Sequence, residues 1–84
     1  MKLTWKVEAG QFTDLAFDPT GQSLLAIQNH ADVPVEVRPN WQTPQVKYDI
    51  LPHCGIVLRC ADTLMQLGSP HGPAHGEFWL IPPG

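Results

Sequence analysis

Eighty-four residues with a formal charge of −3 make one domain, residues 1–84, too shallow for a pocket that buries most of a substrate. The five Lys and Arg lie scattered at positions 2, 6, 38, 47 and 59, so no basic stripe exists to neutralise a row of phosphates, and nucleic acid is disfavoured as a partner. Charged residues are only 15% of the chain, against roughly 25% in ordinary domains, which leaves a surface that neighbours can cover.

The first residues alternate: Leu3, Trp5 and Val7 share one face, and Lys2, Thr4, Lys6 and Glu8 the other, as in a half-buried strand. A signal peptide needs an apolar run of about 7–15 residues and a membrane span about 20, and neither is present, so the chain is expected to be made and kept in a cytoplasm, or released by lysis. A second strand is expected over Phe12–Phe17, closed by the turn Asp18-Pro19-Thr20-Gly21. Ser23–Gln28 holds the continuous apolar run Leu24-Leu25-Ala26-Ile27, which predicts a strand covered on both faces. After a turn at Asn29–Asp32, Val33, Val35 and Val37 alternate with polar residues, and Pro34 marks an edge or a strand start.

Pro39–Gln45 reads as a loop carrying Trp41. Val46, Tyr48 and Ile50 form the next strand, broken at Leu51-Pro52-His53. Cys54–Cys60 then reads as a strand with Ile56 and Leu58 on one face, followed by a short one at Thr63–Leu67. A Gly, Pro and His loop spans Gly68–Gly76, and Glu77–Ile81 is the last strand. About eight short strands with turn signals every 8–12 residues predict an all-β fold, a β-sandwich or jelly roll with minimal helix. Trp5, Val35, Val37, Ile56, Leu58 and Trp79 take the apolar parity of their strands and are the expected core.

No catalytic constellation is legible, and a non-enzymatic role is expected. Cys54 and Cys60, six apart on one predicted strand, are too distant to bridge and read as free, buried core thiols. His71-Gly72-Pro73-Ala74-His75 has the H-x-x-x-H spacing of helical zinc sites, but Gly72 and Pro73 oppose a helix there. His71 and His75 are therefore read as polar loop residues, with no metal or other cofactor assigned, although a three-fold axis would bring copies of one histidine around an ion. Trp41, on its loop, caps the core, anchors a protein interface or stacks on a sugar.

The stretch Leu24–Val37, followed by Leu51–Leu58, resembles the C-terminal β-sandwich of α-amylase-type glycosidases, in its strand, Asn-x-x-Asp turn, valine strand and Leu-Pro turn. With Thr63–Leu67 and Gly76–Ile81 added, the pattern is similar to small all-β structural proteins of tailed bacteriophage virions: head decoration, fibre and tail accessory proteins. That resemblance implies a subunit of a virion, made in the host cytoplasm, which binds an assembled protein lattice as a trimer or another symmetric oligomer.

The low charge, the nine prolines and the small core independently favour association. The expected contacts are Trp41 with its loop and the segment from His71 onward, chiefly His71, His75 and Phe78. A carbohydrate- or peptide-binding module is the alternative expectation.

Overall fold

The computed structural model describes residues 2–15, 24–39, 47–59 and 65–81. They form β1 (Leu3–Val7), β2 (Phe12–Leu15), β3 (Leu24–Asn29), β4 (Val35–Pro39), β5 (Tyr48–Ile50), β6 (Gly55–Arg59), β7 (Met65–Gly68) and β8 (Ala74–Ile81). Among the described residues no helix is long and apolar enough to cross a membrane.

The strands build two four-stranded antiparallel sheets, in the orders β1-β8-β3-β6 and β2-β7-β4-β5. The pairs β1–β8, β2–β7, β3–β6 and β4–β5 are the nested arms of one long hairpin. The pairs β3–β8 and β4–β7 appear when that hairpin is rolled up. This is the jelly-roll form of the β-sandwich.

Period-2 alternation decides which side chains fill the space between the sheets. Trp5, Val7, Leu25, Ile27, Ala74 and Phe78 point inward from the first sheet; Leu15, Val35, Val37, Ile50, Met65 and Leu67 meet them from the second. Trp5 is the largest of these, and its indole Nε1 donates to the Glu77 carbonyl at 3.2 Å. Its ring lies across β8 at Gly76, its direct register partner.

The turns at one end of the sandwich are joined by a buried polar side chain. Asn29, fully buried at the end of β3, donates through Nδ2 to the carbonyls of Val33 at 2.9 Å and of Ile50 and Leu51 at 3.3 Å each. Its Oδ1 accepts the Ala31 N–H at 2.9 Å. One amide thus closes its own turn, as Asn side chains do, and ties that turn to the β5–β6 connection. In that connection Pro52 and His53 are the central residues of a turn in which Cys54 N–H donates to Leu51 O at 3.1 Å. His53 adopts φ 61° there, where glycine or asparagine is usual. Its Nε2 lies 2.6 Å from Asp32 Oδ1, a contact between two exposed side chains.

Several sequence expectations shift. Trp5, Val35 and Val37 are buried as expected, but Ile56 and Leu58 are only partly so, because β6 is an edge strand. In β8 the parity is reversed: Phe78 is in the core, whereas Trp79 faces outward and is half-buried. Phe78 was expected as a contact residue and Trp79 as core. The run Phe78-Trp79-Leu80-Ile81 has no polar member to reveal its parity, and the deciding pairs are Leu3–Phe78 and Trp5–Gly76. Cys54 precedes β6 in the turn and is exposed, not buried on a strand, because pairing with β3 starts at Gly55. The β3 run is covered on both faces only at Ala26; Leu24 is exposed. Trp41 and Cys60 lie outside the described residues.

Candidate interaction face

The two outward faces of the sandwich differ in chemistry. On the β2-β7-β4-β5 sheet the outward residues are mostly charged or polar: Asp14, Gln66, Glu36, Arg38, Lys47 and Asp49. Glu36, nearly buried, sits at the centre and accepts from Arg38 Nη2 and Lys47 Nζ, each at 3.0 Å. Phe12 packs on Gly68, and the Arg38 guanidinium lies 4.4 Å from the centre of the Phe12 ring. Such a face is satisfied by its own ion pairs and by water.

The hydrogen bond from Lys47 is the main reason that the Glu36 carboxyl titrates below its ordinary value; burial opposes the shift and Arg38 adds to it. A lowered carboxylate pKa gives stability that is complete above the unfolded value of about 4.3 and is lost as pH falls through the folded value. Denaturant unfolding at stepped pH should therefore show stability declining through that acid range. Glu36→Gln should cost about 1 kcal/mol at neutral pH and flatten this part of the acid limb. An unchanged acid limb in the variant would place the linkage elsewhere.

The outward face of the β1-β8-β3-β6 sheet is divided in two. The register places Trp79, Ala26 and Val57 side by side across β8, β3 and β6, with Ile81 beside Leu24 in the adjoining row. Val57 is 57% exposed, Leu24 39% and Ile81 36%, while Ala26 is covered. Lys2 Nζ stands 4.9 Å from the centre of the Trp79 ring and 3.6 Å from Glu77 Oε2, so the charge borders the patch rather than interrupting it. The other half is polar. Thr4, Glu77 and Gln28 form one row, followed by Lys6, His75 and His30. The His30 and His75 rings are 6.2 Å apart, and His30 Nε2 is 3.8 Å from Glu77 Oε1. All of these side chains except Gln28 line a shallow cleft beside Trp5 and Ala74.

The structure separates the expected contact residues. His75 lies on a strand, in the polar half of this face. His71 lies in the β7–β8 loop and lines a different cleft, with Pro34, Glu36, Lys47, Asp49 and Pro70. The H-x-x-x-H spacing therefore does not produce a pair. Among the described residues no three His, Cys, Asp or Glu side chains form a set able to hold a metal ion. Leu24, Val57 and Trp79 were not singled out as contact residues from sequence. The signal was present in Leu24-Leu25-Ala26-Ile27: a run with no polar member must place one apolar parity outside whenever only one face is packed.

The fold and this divided face define the molecule as a small jelly-roll domain with one ion-paired and one partly apolar outer surface. Compared with known proteins, the chain matches no family model, no curated protein and no solved structure.

Proposed function

We propose that the chain is a non-enzymatic assembly subunit, a virion decoration or accessory protein. It seats the apolar half of its β1-β8-β3-β6 face on a larger protein lattice and associates with itself as a symmetric oligomer. One observation carries this reading: Trp79, Val57, Leu24 and Ile81 lie in two adjoining rows of one outer face, while the opposite sheet covers its outer face with ion pairs. A contiguous exposed apolar patch on a small domain is costly unless a partner removes it from water. Trp is also the side chain most over-represented among residues that dominate binding energy. Jelly rolls occur in viral shells, which supports the reading by fold analogy alone.

Quantitative mass spectrometry of particles purified from a lysate in which the chain is made tests the proposal. The chain should co-purify in fixed ratio to the shell protein, and Trp79→Glu should abolish retention while leaving the circular dichroism spectrum unchanged. Recovery of the parent only in the soluble fraction would sink the lattice reading. A carbohydrate-binding module is the second reading, favoured by Trp79 standing half-exposed beside Glu77 and near Gln28 on one face. Retention on a polysaccharide column that is lost in Trp79→Ala would select it.

A further inference from the structure

Among the described residues four strands form the sheet edges: β1 and β6 in one sheet, β2 and β5 in the other. Natural edges are guarded against pairing by charge, proline or shortness. Three of these four are guarded. β1 carries Lys6 at its edge, β2 has four residues including Asp14, and β5 has only three, Tyr48-Asp49-Ile50, next to Lys47. β6, Gly55-Ile56-Val57-Leu58-Arg59, has no proline and no charge before its last residue. Among the described residues only β3 pairs with it.

The free side of β6 can be assigned residue by residue. Asn29 N–H donates to Cys54 O at 2.9 Å, and the register pairs Ile27 with Ile56 and Leu25 with Leu58. In an antiparallel ladder hydrogen-bonded and non-bonded pairs alternate, so Ile56 and Leu58 spend their backbone groups on β3. The N–H and C=O groups of Gly55, Val57 and Arg59 then point away from the sheet. The next turn of β3 confirms the alternation from its other side: His30 N–H donates to His75 O at 3.0 Å, which directs the even-numbered residues of β3 toward β8.

We infer that β6 is a dimerisation edge at which a second copy of this chain pairs antiparallel about a two-fold axis through Val57. This deepens the assembly reading, on whose self-association it rests. In that register Val57 meets the partner's Val57, and Gly55 meets the partner's Arg59, each through outward backbone groups on both sides. Ile56 stands opposite the partner's Leu58 on the inner face, so two half-covered core residues at an open edge close each other off. On the outer face the row Trp79–Ala26–Val57 runs on into its own copy, and the two patches become one across a continuous sheet. Only an even sum of paired residue numbers sets inner side chains against inner ones, and the register centred on Val57 satisfies it. The contact is isologous, as a closed dimer requires. A five-residue edge buries less than the ~800 Å² per partner of a standard interface, so the dimer is weak and its population follows concentration.

Light scattering and amide hydrogen exchange of the purified chain over about a hundredfold concentration range test it. The mass should rise from one chain toward two. The amides of Gly55, Val57 and Arg59 should slow in exchange as it does, because the described residues offer them no acceptor within the chain. Val57→Pro removes an outward N–H that β3 does not use, and Val57→Lys adds a charge at the same point. Either should hold the chain monomeric at every concentration, and the lysine variant serves if the proline variant fails to fold. A parent that stays monomeric, exchange at those amides independent of concentration, or an oligomer unaffected by Val57→Lys overturns the edge dimer. Each result is obtained without the lattice, so it leaves co-purification with particles to be decided separately.

Discussion

Asn29→Ala should cost about 3–4 kcal/mol, a large share of the roughly 4–13 kcal/mol expected of a domain this size. The substitution removes the Nδ2 donor shared by the carbonyls of Val33, Ile50 and Leu51, and the Oδ1 acceptor of the Ala31 N–H. A typical hydrogen bond contributes about 1 kcal/mol net, but a buried polar group left without a partner costs about 1–3 kcal/mol. The side chain is fully buried, so water does not replace the lost contacts without the turns opening. Asn29→Asp should be worse than alanine, because a carboxylate would face carbonyl oxygens in the place of a donor. Urea unfolding measures both. A loss under about 1 kcal/mol for Asn29→Ala would mean that the two turns hold together without the amide.

Gly76→Ala should cost about 3 kcal/mol or more, and larger residues at this position should prevent folding. An added Cβ would overlap the backbone carbonyl oxygen of Gln28 and lie 2.6 Å from Trp5 Cζ2. A flexible side chain can yield to such a contact; a carbonyl in the ladder between β3 and β8 cannot. The position needs glycine for the close approach of its neighbours, since β8 is an ordinary extended strand there. A cycle with Trp5→Leu separates the two obstructions. The smaller side chain should relieve the ring clash and recover part of the Gly76→Ala loss, while the carbonyl overlap remains. Strictly additive losses in the cycle would show that Trp5 does not press on this position.

The two residues are register partners, Asn29 on β3 opposite Gly76 on β8. One end of the sandwich is therefore held by a buried amide, a missing side chain and an indole, none of which adds to a count of apolar residues. An 84-residue jelly roll has little core to spare, and specific polar closure of its turns supplies part of what a larger interior would. The same economy explains why an edge such as β6 retains half-covered Ile56 and Leu58: among the described residues no further strand finishes the layer.

Local sequence by itself determined the strands and their approximate limits. Side chains alternate with period 2, and Leu3–Val7 and Val35–Val37 carry that alternation openly, so their inward residues were legible without a structure. The all-β class followed from turn residues at short intervals, which are local too. Pairing is not local. Which strands lie beside each other depends on contacts far apart in sequence, so the 1-8-3-6 and 2-7-4-5 orders emerged only from the tertiary structure.

The same holds for parity wherever a strand is apolar throughout. In Phe78-Trp79-Leu80-Ile81 nothing local distinguishes the two faces, and Phe78 went inward because its neighbours on β1 and β3, Leu3 and Ile27, point that way. Asn29 gave a turn signal that sequence reads, but its burial arose only when Ile50 and Leu51 arrived beside it from another sheet. The apolar row was hidden for the same physical reason: Trp79, Ala26 and Val57 come from three strands, and only the ladder brings them into one row.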